Sequence, residues 1–292
     1  MIRFPITLTE LEEAVTALSP SWLSRAGKRT KAFQEVGRYD EENGIWSEIK
    51  QVYMELQNYK CAYCERRLAG SPFGGVEHDV EHFRPKSSVT AWPTDTIASQ
   101  RGIYYEFPTG EAENPGYYLL AYSLLNYATA CKTCNSPLKS NYFPIAGARN
   151  VIAEDPTRME DEDAFLIYPL GAFDADPEEI LTFYGTTPVT VEKTGKKERR
   201  GRVIFDFFEL GSREELQRER SNVIVWLWIA HRLRSTGGPA DRSLARASIA
   251  NLTSPSSPHT NCARAFLRLI GENPVRAEKL ATEAVDSLGS GS

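Results

Sequence analysis

The sequence predicts an α+β fold on three observations. Two Cys-x2-Cys pairs, Cys61/Cys64 and Cys131/Cys134, bracket a segment with strand character. Short β-branched and aromatic runs follow between residues 166 and 205. The last third repeats apolar residues at helical spacing and is cut at Gly237-Gly238-Pro239 and at Pro274. The expected division is an N-terminal helical region at 1–58, a cysteine-pinned ββα core at 59–147, a β-rich extension at 148–210 and a C-terminal helical region at 211–288.

In chain order, residues 9–18 read as a short helix opened by Thr9 with Glu12 three residues on, the pattern of a capping box, and Pro20 ends it. Arg25, Lys28, Arg29 and Lys31 form a small basic cluster, either a solvated helix face or a phosphate contact. Ile45, Ile49, Val52, Tyr53 and Leu56 keep a helical period and deliver the chain into Cys61.

The cysteines come next. Each Cys-x2-Cys offers two thiolates, and two pairs make a closed tetrahedral zinc site. The gap from Cys64 to Cys131 is too long for a simple ribbon, so the zinc is expected to clamp the two ends of an inserted unit. Nothing marks the chain as secreted, which argues against a disulfide framework. Cys262 stands alone in a helical pattern and reads as a small buried apolar residue.

Between the pairs, Val76 to His82 has strand character, and Arg84-Pro85 forces an extended exit. One-metal phosphodiester hydrolysis needs a base, a divalent ion on the phosphate and a group that orients the base. His82 is the best base by its ordinary pKa. Glu81 offers an oxygen suited to Mg²⁺ or Mn²⁺, and Asn135 is the second candidate ligand. Asn126 is expected to orient the imidazole. Lys139 would share a helix face with Asn135 and reach phosphate. Each has a plainer alternative: a surface carboxylate for Glu81, a helix cap for Asn135, a turn brace for Asn126, a solvated lysine for Lys139. Strand neighbours point to opposite faces, so Glu81 and His82 share a site only at an irregular strand end, and His78 is a rival ligand on the His82 face.

These residues resemble the HNH, or ββα-metal, endonuclease superfamily, and within it the HNH proteins of Septu and retron-associated anti-phage systems. The resemblance rests on Cys61-Ala-Tyr-Cys64-Glu65, on Glu81-His82-Phe83-Arg84-Pro85-Lys86, on Asn126-x8-Asn135 and on Lys139-x-Asn141-x-Phe143-Pro144. Weaker likeness continues through Tyr168-Pro169, Asp174-x-Asp176-Pro177, Arg200-Gly-Arg202 and Arg213-Glu-Glu-Leu216, so that it spans about residues 45 to 225. It implies metal-dependent cutting of DNA, with RNA as the alternative, and an ATPase partner of the SMC/ABC type. Two departures stand out: Glu81 takes the place of the common Asp before the base, and Asn135 that of the last helix His. Fewer strong ligands imply an exchangeable hard metal and leave a degenerate site open.

Residues 87–116 look like an insertion across the cleft, and Tyr117 to Tyr127 reads as helical at first. Beyond it, Leu166–Pro169, Ile180–Tyr184, Val189–Val191 and Val203–Phe205 read as short strands. Residues 193–202 hold six basic residues and one acid. Lys193, Lys196, Lys197, Arg199 and Arg200, with Arg84 and Lys86, are therefore the expected nucleic-acid contacts, a charged hairpin tip being the alternative for the first five. The final helices are expected from Ser212 to Arg234, with Ser212 as N-cap, and over 240–251, 260–271 and 274–287. Trp226-Leu227-Trp228 is apolar enough to face a core or a partner.

The composition, 41% hydrophobic and 25% charged over 292 residues, is that of a globular chain. The start carries no basic-then-apolar leader and no stretch reaches the length of a membrane span, so a cytoplasmic protein is expected. A net charge of −5 argues against charge-driven nucleic-acid binding by the whole surface and points to a local basic patch or a partner.

Overall fold

The computed structural model describes residues 1–68 and 78–289, an α+β chain in two compact units. One unit comprises Arg3–Tyr59 and Leu68–Asp176; the other comprises Met1–Ile2, Lys60–Arg67 and the chain from Pro177 onward.

The first unit opens with helix α1 (Leu8–Leu18) and helix α2 (Trp22–Val36). The capping box that starts α1 is Thr7 with Glu10, two residues before the expected Thr9 and Glu12. Both α1 and α2 turn one apolar stripe inward, Leu11 and Val15 from α1, Trp22, Ala26 and Phe33 from α2. Trp22 is fully buried and donates its indole N–H to the Ile45 carbonyl at 2.9 Å. The expected basic cluster on α2 is partly neutralised, Arg25 pairing with Glu48 and Arg29 with Glu41. A 3₁₀ turn at Trp46–Ile49 leads into helix α3 (Lys50–Leu56).

Two strands form the centre of this unit. Strand β1 (His78–His82) pairs antiparallel with strand β2 (Tyr127–Cys131), His82 opposite Tyr127 and His78 opposite Cys131. The expected strand residues 76 and 77 lie outside the described residues. A two-stranded ladder is marginal by itself. Here Gln57, just past α3, backs it: Gln57 Nε2 donates to the Thr129 carbonyl at 2.9 Å and Gln57 Oε1 accepts from the Thr129 amide at 2.7 Å. The amide side chain thus extends the ladder from β2's outer edge. Tyr53 adds a bond to the Leu124 carbonyl at 2.7 Å. The region 87–116 contains helix α4 (Asp95–Arg101), capped by Thr94. Tyr117–Tyr127 is two 3₁₀ turns, at Tyr118–Leu120 and Leu124–Asn126, before β2 begins.

In the second unit, strands β3 (Leu181–Tyr184) and β4 (Thr187–Thr190) make a hairpin on the two-residue turn Gly185-Thr186, with Gly185 at φ 60°. Two expected strands are not formed. Val203–Phe205 lies inside helix α5 (Gly195–Phe207), whose Val203, Ile204 and Phe207 are buried along one helical face despite their β-branched character. Leu166–Pro169 is buried but carries no ladder; only single bridges flank it, Ile145 to Ala164 and Phe4 to Leu170. Helices α6 (Glu214–Thr236), α7 (Pro239–Leu252), α8 (Thr260–Glu272) and α9 (Pro274–Gly289) follow close to the expected bounds. Arg213 rather than Ser212 precedes α6, and no side chain caps it. Their core joins Ile224 and Leu227 to Cys262, Phe266, Ile270 and Leu280. Leu227 is buried while Trp226 is 60% exposed, so the apolar Trp-Leu-Trp segment is split between core and surface.

Replacing Gln57 with Leu leaves an amide and a carbonyl of buried Thr129 without partners. At about 1–3 kcal/mol for each, urea unfolding is expected to show roughly 2–6 kcal/mol lost.

Candidate metal and catalytic site

The four paired cysteines converge. Among the described residues, Cys61, Cys64, Cys131 and Cys134 are all buried and their sulfurs lie within 4.8 Å of one another. None is in a disulfide. Zinc–sulfur bonds of about 2.3 Å place tetrahedral sulfurs roughly 3.8 Å apart, so this donor set fits zinc with little adjustment. Cys61 and Cys64 sit on a tight knuckle in which the Cys61 amide donates to the Arg66 carbonyl at 3.0 Å and Glu65 takes φ 61°. Cys131 ends β2, and Cys134 opens a single wide π-type turn, Cys134–Lys139, that contains Pro137.

The same wide turn brings Asn135 to β1. Strand alternation puts Asp79 and Glu81 on one face and Val80 and His82 on the other. Among the described residues β1 pairs with β2 alone. A cavity of about 590 Å³ is lined by Asp79, Val80, Glu81 and His82 together with Trp46, Lys50, Lys86 and Asn135. Consecutive residues of β1 line it, which is how Glu81 and His82 share one site without the irregular strand end that parity demanded. The side chain of His78 lies outside what the structure describes.

His82 is only 9% exposed. Its Nε2 lies 3.1 Å from the Ala121 carbonyl, and its ring packs edge-on against Trp46 and Tyr127 at 4.8 and 5.0 Å. A carbonyl only accepts, so Nε2 carries the proton and Nδ1 keeps the lone pair. Burial, with the Lys86 and Lys139 charges, pushes the imidazole pKa well below its ordinary value despite the Ala121 bond. The ring is therefore neutral, as a base must be.

Asn126 does not touch the imidazole, contrary to expectation. Its Oδ1 accepts from the Arg84 amide at 2.7 Å, and its Nδ2 donates to the Arg84 and Leu120 carbonyls at 3.0 and 3.1 Å. It fixes the chain two residues beyond His82 and one residue before Ala121. The imidazole is oriented by the Ala121 carbonyl, whose neighbour Leu120 is held by Asn126.

Lys139 also differs from expectation. It is 0% exposed, and its ammonium stands 3.1 Å from Glu81 Oε1 rather than reaching outward to phosphate. That contact is a buried ion pair, and the same ammonium donates to the His82 carbonyl at 3.5 Å. Burial raises the Glu81 carboxyl pKa to about 6, the Lys139 charge opposing the rise. Arg84 is likewise buried: Nε donates to Glu162 Oε2 at 2.9 Å and the guanidinium lies over Phe143 and Tyr117. A nucleic-acid contact by Arg84 is therefore replaced by a structural ion pair. Lys86 behaves as expected of a contact residue in one respect, since it lines the cavity, its ammonium 4.7 Å from the Trp46 ring centre and 4.9 Å from that of Tyr39.

The comparison with known proteins bears on this arrangement. The chain is 30% identical over 175 residues to Septu protein PtuB of Bacillus mycoides (strain KBAB4), a match covering 60% of this chain and 50% of that protein. The chain is related to Septu PtuB. It spans about half the length of that relative. No family model matches the sequence, and no solved structure matches it.

Several residues were not expected at the site. Asp79 lines the cavity and accepts from Asn135 Nδ2 at 3.3 Å, which leaves the Asn135 carbonyl oxygen available. The signal was present, since Asp79 stands two residues before Glu81 on the same strand face. Trp46 and Lys50 come from the segment before the first cysteine, whose apolar period gave only a helix. Asp79, Glu81 and Asn135 together offer oxygens of the kind Mg²⁺ or Mn²⁺ takes, and Glu81 Oε1 is a buried acceptor with no hydrogen bond. They fit a divalent cation. Lys193, Lys196, Lys197, Arg199 and Arg200 do not line the cavity. Residues 196–200 occupy the first turns of α5 instead of a hairpin tip, and Lys197 pairs with Glu179 and Glu192 at 3.4 and 3.6 Å.

The purified chain is expected to carry about one equivalent of zinc. Cys134→Ser or strong chelation is expected to remove it and lower the melting temperature sharply, because ligation free energy is folding free energy. Metal analysis with thermal melts checks this; an unchanged melt after zinc loss contradicts it. Because Glu81 ionises near pH 6, Mn²⁺ affinity is expected to fall as pH drops through about 6, readable by calorimetry, and a flat profile from pH 7 to 5 contradicts that.

Proposed function

We propose that the chain is an HNH nuclease subunit of a Septu-type anti-phage system, one that hydrolyses phosphodiester bonds in nucleic acid, most naturally DNA. The observation that carries this reading is a single cavity in which the neutral His82 imidazole, the oxygens of Asp79, Glu81 and Asn135, and the Lys86 ammonium meet. The Septu relation supports the defence setting. An ATPase partner of the SMC/ABC type follows from the HNH-Septu resemblance, and the net charge of −5 is consistent with a partner that holds the substrate.

A divalent cation bound by these oxygens would neutralise charge that builds on the scissile phosphate. His82 Nδ1 takes a proton from the attacking water. The Ala121 carbonyl keeps that nitrogen facing the cavity and stabilises the imidazolium that forms. Trp46 and Tyr127 hold the ring in its plane. Lys86 faces the phosphodiester as a point charge. Among the described residues no helix is long and apolar enough to cross a membrane.

One observation favours a second reading, a non-catalytic nucleic-acid-binding or assembly subunit. The Lys139 ammonium already neutralises Glu81. Plasmid cleavage with Mg²⁺ or Mn²⁺, with and without a candidate ATPase partner, separates the two. His82→Ala is expected to lose about 10²–10⁴-fold in rate with zinc content and melting unchanged. Wild type and His82→Ala that are equally inert with every partner, yet bind nucleic acid, would establish the scaffold instead.

A further inference from the structure

We infer that divalent-ion binding at this site is coupled to nucleic-acid binding, because internal lysines cancel the charge of the carboxylates until substrate phosphate arrives. The inference rests on the proposed nuclease reading and concerns how that site is regulated. Asp79 and Glu81 are the two carboxylates lining the cavity. Lys139 lies 3.1 Å from Glu81 with no exposure to solvent, and Lys86 and Lys50 line the cavity itself. Among the described residues, these two carboxylates are balanced by the Lys139 and Lys86 ammonium groups, the two lysine charges that act on Glu81. A divalent cation entering the apo site meets no excess negative charge and must approach the Lys139 ammonium through a shared carboxylate.

Burial strengthens the conflict. At an effective dielectric near 20, like charges about 4 Å apart repel by several kcal/mol, and Lys139 has no route to water that would screen it. Each phosphodiester brings one negative charge to the same volume. With Lys86 matched to a phosphate, the carboxylates are left with Lys139 alone and the site becomes attractive to a dication. Linkage makes the effect reciprocal: nucleic acid tightens the ion, and the ion tightens nucleic acid. The free chain is therefore held inactive at ordinary ion concentrations by charge balance alone. Asn135, which donates to Asp79, adds no charge and does not alter the count.

The test is Mn²⁺ affinity by electron paramagnetic resonance on the full-length His82→Ala chain, which lacks the proposed base and leaves the probe intact. Measurements are made alone, with a DNA oligonucleotide, and with the same oligonucleotide carrying uncharged methylphosphonate linkages. The charged oligonucleotide is expected to tighten Mn²⁺ at least tenfold and the uncharged one to have little effect. Lys139→Met, which keeps the stem volume, is expected to tighten Mn²⁺ at least tenfold without any oligonucleotide. Lys86→Gln, nearer solvent and safe for the fold, is expected to do so by a smaller factor. Two results overturn the inference: Mn²⁺ affinity unchanged up to millimolar oligonucleotide phosphate, or unchanged in both folded lysine variants. Cleavage by wild type alongside either result would leave the nuclease reading standing and remove only the coupling. Coupling without cleavage, with the partner present, would do the reverse.

Discussion

A ladder of two five-residue strands carries the candidate site, and such a ladder does not hold itself together in water. Everything at the site depends on side chains that stand in for the missing third strand and the missing turn. Gln57 pairs with Thr129 as a neighbouring strand would. Asn126 ties the exit of β1 at Arg84 to the turn at Leu120. Because the Ala121 carbonyl that holds His82 is the next residue in that turn, the position of the base is set by a backbone clamp rather than by a dedicated orienting side chain. Residues from both faces of β1 border a common cavity.

The electrostatic design follows from depth. Arg84 and Lys139 both point inward, where desolvation forces each to find a carboxylate, Glu162 and Glu81 respectively. Arg84 thereby becomes part of the scaffold, packed among Phe83, Tyr117 and Phe143. Lys139 becomes part of the site, because its carboxylate borders the cavity. Lys86 is the intermediate case, reaching the cavity while two aromatic rings replace some of its lost hydration. Three cations close in sequence to the same motifs thus take three roles, decided by burial.

Much of this was legible in the sequence, and the limits have physical causes. The cysteine cluster was readable because thiolate spacing maps directly onto tetrahedral geometry. The C-terminal helices were readable because Gly237-Gly238-Pro239 and Pro274 are strong breaks. The strands at Leu181–Tyr184 and Thr187–Thr190 were readable from their β-branched and aromatic runs. Residues 203–205 were misread because Val-Ile-Phe is strand-like in isolation, whereas burial of Phe207 one turn on makes the helical face pay off in packing. Sequence spacing did not give the depth of Lys139 and Arg84, since each one's carboxylate is many residues away. Asn126 was assigned the imidazole because the functional pattern suggested it; three backbone partners, set only by the fold, claimed it first. Asp79 was overlooked although strand alternation alone pairs it with Glu81.

The central claim is that β1 and the turn at Asn135 gather an oxygen cage for a divalent cation beside a neutral imidazole. Anomalous diffraction from a Mn²⁺-soaked crystal of the chain with bound oligonucleotide tests it most directly. The account predicts a manganese peak in the cavity, within about 2.0–2.4 Å of oxygens from Glu81 and at least one of Asp79 and Asn135. A cavity without manganese while Lys139 stays paired to Glu81, or a peak bound only at unrelated surface carboxylates, would contradict it.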